Sequence, residues 1–255
     1  MKALAPFAQN CANNRKNIQT TRSKFRMAGL SAALILGMPS LTWAQVSPFD
    51  IDGVVPDEGV EATGDPSGSV QELGPVNGSV TKIGVIHGAG TPMLDFTNPN
   101  GQTDLVNVWL DIEEQAGDIW LYFAWERDSF KGSSVITYEF QHSAFPAGCV
   151  YTENIDMVEP VHPDEADLIA NCNPWSARQK DDFLIVWDFK GGSTEIILRT
   201  FDGSDFIDTA LDANWSEAAL NGNTSRGEGA INLSEAVFDE TSCTSIGSVI
   251  TGTVT

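Results

Sequence analysis

Positive charge is scarce in this 255-residue chain: 14 Lys and Arg stand against 35 Asp and Glu, a formal net charge of −21. Such a surface repels nucleic acid and anionic lipid, so neither is expected as a partner. Histidine and cysteine are sparse as well, at 3 and 4 residues. No CxxC spacing occurs, and His142 and His162 are isolated, so no metal-ligand set is assembled locally. There is no G-x-S-x-G elbow, which removes the usual nucleophile of an esterase and leaves His87-Gly88-Ala89-Gly90 to be read as a glycine-rich turn. No apolar run reaches the roughly 20 residues that a spanning helix needs.

The cations that are present are unevenly placed. Lys2, Arg15, Lys16, Arg22, Lys24 and Arg26 precede any acid, the first of which is Asp50. An apolar run from Met27 to Met38 follows, interrupted by Gly37, and then Pro39 and the small-residue site Thr42-Trp43-Ala44. Charged, apolar and cleavable parts in that order are those of a secretory signal peptide. The expectation is a leader over residues 1–44, cleaved after Ala44, and a secreted or cell-surface protein with no transmembrane segment in its mature part. Without the leader, 8 Lys and Arg remain against 35 acids, a formal charge of about −27. Calcium binding, a saline habitat and simple solubility would each produce such a surface. Charge runs are most often solvated faces, so a saline habitat and solubility carry most of the weight, and no cofactor is expected, with calcium as the alternative.

Cysteine usage agrees with export. Cys11 leaves with the leader, and Cys149, Cys172 and Cys243 remain. Cys149 and Cys172 flank a polar segment with Pro160 and Pro163 and are the candidate disulfide, although three cysteines allow three single pairings. Residues 45–255 suit one acidic domain. The alternating stretch from Ser248 to Thr255 ends without a turn, sorting signal or anchor, as in a fragment of a longer protein.

The mature chain reads as short strands between glycine-rich turns. Candidates are Ile83–Ile86 as an edge, Leu105–Leu110, Ile119–Glu126, Ser134–Phe140, Phe183–Phe189, Thr194–Phe201, Gly229–Leu233 and Ser248–Thr251. Lys131-Gly132 and Gly191-Gly192 read as hairpin turns. Period-two alternation places Phe183, Ile185, Trp187 and Phe189 on one face, and Leu184, Val186 and Asp188 on the other. One short helix is expected, Ser234–Phe238 with Ser234 as its cap. The fold class is therefore all-β, an antiparallel β-sandwich or jelly roll with at most one short helix.

Candidate sites are few. Phe49-Asp50-Ile51-Asp52-Gly53 has a calcium-loop flavour, but its glycine comes too early for that loop, and a strand ending in an Asp-Gly turn accounts for it. Glu113-Glu114, Asp181-Asp182 and Asp239-Glu240 are carboxylate pairs, which chance supplies readily among 35 acids. Glu126 is the acid embedded in an aromatic strand, and the neighbouring Arg127 is expected to pair with an acid. Trp109, Trp120, Trp125 and Trp187 sit in strands, where burial is the default. Trp175 and Trp215 lie in polar surroundings, so they are the candidate ligand-binding residues for stacking on a sugar ring. No catalytic residue and no metal ligand is assigned. Asn77, Asn214, Asn223 and Asn232 fall in N-x-[ST] sequons, to which a bacterial-looking leader gives no weight.

The succession Phe49–Gly53, Gly117–Arg127, Tyr138–Phe140, Lys180–Phe189, and Gly229–Ser234 followed by Cys243 resembles the N-terminal β-sandwich domain of large bacterial surface proteins with prealbumin-like repeats. The resemblance spans about Phe49 to Cys243. It implies an extracellular, adhesin-like or matrix role, set among extracellular polysaccharide or cell-surface components, without catalytic residues to carry over. Residues 1–255 carry neither the downstream repeats nor an anchor of that family, so surface attachment is not part of the expectation. A looser similarity, in the opening Ile-Asp-Gly and in Asp118–Ala124, is to family-nine-type carbohydrate-binding modules. A structural or adhesion domain is thus the leading expectation. A carbohydrate-binding module, with or without calcium, is the alternative, and a glycoside hydrolase comes last.

Overall fold

Alternating apolar residues on most of the long strands give each sheet a face to bury, and stacking two such faces is what forms a sandwich. In the computed structural model, the described residues are 2–4, 47–56, 62–64, 72–76, 91–97, 101–129, 131–132, 134–149, 169–188, 193–209, 211–238 and 245–254. The strands are β1 (Lys2–Leu4), β2 (Ala62–Gly64), β3 (Glu72–Val76), β4 (Met93–Thr97), β5 (Leu105–Gln115), β6 (Asp118–Arg127) and β7 (Val135–Gln141). They continue with β8 (Phe183–Asp188), β9 (Ile196–Phe201), β10 (Phe206–Thr209), β11 (Ser216–Leu220), β12 (Arg226–Asn232) and β13 (Ser248–Val254). One sheet has the order β1-β13-β7-β8-β9-β10, the second β11-β12-β6-β5-β2, and β3 pairs with β4 apart from both. Neighbouring strands pair antiparallel throughout.

The core lies between the sheets. Leu121, Phe123 and Trp125 of β6 and Ile231 of β12 meet Ile136, Tyr138, Phe140, Phe183, Ile185, Trp187, Leu198 and Val249 of the other sheet. Trp125 and Trp187 pack edge to face, with centroids 5.5 Å apart and planes at 88°. The Tyr138 hydroxyl donates across the core to the Ala124 carbonyl. β12 places Gly227 and Gly229 beneath these rings: a Cβ on Gly227 would lie 2.6 Å from Trp125 Cζ2, and one on Gly229 2.8 Å from Phe123 Cζ.

Both outer faces are covered in part. Phe49, Val55 and Ile51 of the segment 47–56 pack on Trp109, Trp120, Tyr122 and Ala230, outside the five-stranded sheet. On the six-stranded sheet, Leu184, Val186, Phe201 and Phe206 form a second apolar cluster. The alternation expected of β8 is therefore present, with Phe183, Ile185 and Trp187 inward and Leu184 and Val186 outward.

Several expectations need correction. The turn at Lys131-Gly132 exists, with Gly132 at φ +88°, but it is not a hairpin. It carries the chain from β6 in one sheet to β7 in the other. Both strands carry an aromatic face, and stacking them buries those faces against each other, while β5 and β12 already occupy both edges of β6. The hairpin that β6 does make is with β5, through Ala116 (φ 57°) and Gly117 (φ 95°). Positive φ at both central residues is the signature of a tight type I′ turn. The helix is α1 (Leu233–Ala236), and its cap is Asn232, whose Oδ1 accepts from the N–H groups of Ser234 and Glu235. Ser234 Oγ instead accepts from Ile119 N at 2.9 Å. Phe49–Gly53 is not a strand but an irregular segment with a turn at Gly53. The β8–β9 hairpin stands as expected. Ile83–Ile86, His87–Gly90, Asn77, Phe189, Gly191-Gly192, His162, Asp239-Glu240, Cys11 and Cys243 lie outside the described residues.

Candidate functional site

The tryptophans are spent on packing. Trp120, Trp125 and Trp187 are essentially fully buried, and Trp109 is 5% exposed. Of the two candidate ligand residues, Trp175 sits on a 3-10 turn (Pro174–Ala177) rather than an open loop and is only 4% exposed. Asn173 causes this. Its Oδ1 accepts from Trp175 N at 3.0 Å and its Nδ2 donates to the Pro92 carbonyl at 2.6 Å, drawing the turn against the body. Trp215 is half-buried just before β11, where its carbonyl accepts from Asn232 N at 2.7 Å. The two residues are thus tied to different sheets, Trp175 through the neighbouring Arg178, which binds Glu139 of β7, and Trp215 through the β11 edge.

The carboxylates on strands are spent on tying elements together. Glu139 projects outward from β7 and meets the Arg178 guanidinium in a two-point contact, Nε to Oε1 and Nη2 to Oε2, each at 2.7 Å. Both side chains are 4% exposed. Gln141 Nε2 adds a third hydrogen bond to Glu139 at 3.0 Å, and Arg178 lies over the Phe206 ring at 5.0 Å. This is the geometry in which a guanidinium fork is strongest, and here it fastens the 173–182 segment over the outer apolar cluster. The same segment is held at its start by a Cys149–Cys172 disulfide, with Cα atoms 5.6 Å apart. The expected pairing is therefore the one formed.

Asp182 closes the other end of that segment. Its Oδ1 accepts from both the N–H and Nδ1 of His142 at 2.8 Å, and its Oδ2 from Gln179 N at 2.7 Å. Burial pushes its carboxyl up from the ordinary carboxylate range, against the pull of these bonds. Glu126 faces Arg226 on the neighbouring strand, with Nη2 to Oε1 at 2.6 Å, and Asn107 Nδ2 donates to its other oxygen at 2.6 Å. Arg127 turns to the opposite side of the sheet, donating to Ser134 Oγ and the Thr224 carbonyl at 3.1 and 3.0 Å.

Glu228 is the fully buried acid beneath the 47–56 segment. Its Oε1 accepts from Asp52 N at 3.0 Å and Gly53 N at 2.6 Å, and its Oε2 from the Tyr122 hydroxyl at 2.9 Å. Asp52 itself is engaged, with Oδ1 accepting from Val54 N at 2.7 Å. The Phe49–Gly53 motif is thus a strap pinned to β12, and its acids do not converge on a common point. Among the described residues, no group of three or more His, Cys, Asp and Glu could hold a metal ion. Among the same residues, no helix is long and apolar enough to cross a membrane. Glu113 and Glu114 are exposed on β5, and of the Asp181-Asp182 pair only Asp182 is buried.

The sequence reading overlooked Glu139, Glu228 and Arg178. A signal was present: Glu139 interrupts Tyr138 and Phe140, and Glu228 stands between two glycines on a strand whose one other charged residue is Arg226. No family model, no curated protein and no solved structure matches this chain.

Proposed function

We propose that the mature chain is a secreted or cell-surface structural domain of the adhesion type, without catalytic activity, exported through its N-terminal leader. Its setting is extracellular polysaccharide or cell-surface matrix. One observation carries the reading: Glu139, Asp182 and Glu228 each join a covering segment to a sheet, with both oxygens of each engaged. General acid–base or glycosidase chemistry needs carboxylates that face one another across an open cleft with oxygens to spare. The disulfide is in keeping with an oxidising compartment.

The test is a polysaccharide panel assayed for new reducing ends, run on the wild-type chain and on Glu126→Gln and Glu139→Gln. The expected result is no release by any of them and a lowered unfolding midpoint for Glu139→Gln. Release that disappears in either variant would overturn the proposal.

Carbohydrate binding stays second because Trp215 retains partial exposure next to Asp212 and Asn214. A glycan array with and without calcium separates the two. Retention that is lost in Trp215→Ala would favour the binding module, and no retention in either condition favours the structural reading.

A further inference from the structure

The edges of the two sheets are not alike. β10 has four residues and carries Asp208, β11 carries Glu217, and β2 has three residues. Short or charged edges are how native sheets avoid pairing with other chains. β13, which lies next to the edge strand β1 in the sheet order, does neither: it runs for seven residues, Ser-Val-Ile-Thr-Gly-Thr-Val, without charge or proline. No Asp, Glu, Lys or Arg occurs anywhere from 241 to 255. One side of β13 pairs with β7 along its whole length. On the other side the one described strand is β1, in the register Lys2↔Thr251, Ala3↔Ile250 and Leu4↔Val249.

That cover belongs to the stretch assigned to the leader, so its removal rests on the export proposed above. Cleavage after Ala44 takes away β1, so that among the described residues no strand pairs with that side of β13, and its backbone N–H and C=O groups there can take a new one. We propose that, once the leader is gone, β13 pairs antiparallel with β13 of a second copy of this chain, and that Lys2–Leu4 holds the edge until then. Charge selects this partner and this face. At a formal charge of about −27, two mature chains repel over most of their surface, and β13 offers an uncharged approach. Glu139, on the adjoining strand, is already neutralised by Arg178. Pairing about Thr251 sets Ile250 opposite Gly252 and Val249 opposite Thr253, so no like charges meet across the junction. The Lys2↔Thr251 register already seats an antiparallel strand at that place.

Sedimentation velocity on the exported chain over a concentration series tests this, with intact mass reporting whether residues 1–44 are gone. The processed chain is expected to double its mass as concentration rises, and Gly252→Glu to stay monomeric. A Cβ at Gly252 meets only Thr137 Oγ1, at 3.6 Å, so this variant should unfold at the wild-type temperature. A processed chain that remains monomeric, or a dimer indifferent to Gly252→Glu, overturns the proposal. A retained leader sinks the export reading by itself. The edge is then tested in the full chain by Ala3→Pro, which disrupts the β1 pairing: a dimer sensitive to Gly252→Glu supports the proposal, and a monomer overturns it.

Discussion

Glu228 and Gly53, 175 residues apart, are joined by a 2.6 Å hydrogen bond from the glycine N–H to Oε1. Gly53 holds φ +88°, and a Cβ there would lie 2.6 Å from the Leu220 carbonyl oxygen, so the strap approaches the sheet as closely as backbone allows. Glu228→Ala orphans the donors of Gly53, Asp52 and Tyr122, at roughly 1–3 kcal/mol for each buried one. The unfolding midpoint should fall by about 5 °C or more, since 1 kcal/mol is worth about 2–4 °C at this size. Glu228→Gln retains an acceptor for the two backbone donors and should lose much less. Equal losses in a thermal melt would mean that the charge, not the hydrogen-bond geometry, holds the strap.

The same residue sets a pH dependence. Burial pushes the Glu228 carboxyl up, opposed by the hydrogen bonds from Gly53, Tyr122 and Asp52 and reinforced by the Asp52 charge. The folded chain therefore binds this proton more readily than the unfolded chain. Its contribution makes stability fall as pH rises from the ordinary carboxylate range through the raised folded value. Asp182, raised by burial in the same way, adds a slope of the same sign. Denaturant titrations at several pH values should show a shallower decline in Glu228→Gln than in wild type across that window. Parallel curves would contradict the assignment.

Gly227 and Gly229 make room for rings. Gly227→Ala and Gly229→Ala are each expected to cost about 1–3 kcal/mol, because Trp125 and Phe123 must shift in a packed core. Gly252→Ala, with ordinary space around its Cβ, serves as the control and should be near neutral. Chemical denaturation of the three variants makes the comparison, and a loss at Gly252 equal to that at Gly227 would count against the packing account.

The Cys149–Cys172 bridge spans a sequence separation of 23. Restricting a loop of that size in the unfolded chain stabilises by roughly 3 kcal/mol. Reduction under native conditions, or the paired Cys149→Ser and Cys172→Ser change, should lower the unfolding midpoint accordingly. The 173–182 segment should then become more open to proteolysis, with Arg178, Asp182 and Asn173 as its remaining ties. Cleavage unchanged on reduction would show that the bridge does not hold this cover.

Local pattern made much of this fold legible. Phe183, Ile185 and Trp187 alternate with Leu184 and Val186 strictly enough to assign both faces of β8 before any partner is known. Partners are another matter. The turn chemistry at Lys131-Gly132 is local, but whether β6 and β7 lie side by side or face to face depends on which strands already fill the edges of β6. Ser216-Glu217-Ala218-Ala219-Leu220 has the composition of a helix, and only pairing with β12 makes it a strand. Trp175 reads as a loop residue because the bond from Asn173 to Pro92 joins positions 81 apart. Glu139 and Arg178, 39 apart, meet for the same non-local reason.

The most direct test of the central claim, that the buried carboxylates are clamps and not reactive groups, is a double-mutant cycle on Glu139 and Arg178 read by chemical denaturation. Each single change to alanine should cost about 3–5 kcal/mol by stranding its partner. The double variant should lose little more than either single one, with a coupling above about 1.5 kcal/mol. Losses that add to within about 0.5 kcal/mol would contradict the account, because Glu139 would then stand energetically free of the segment it is held to fasten.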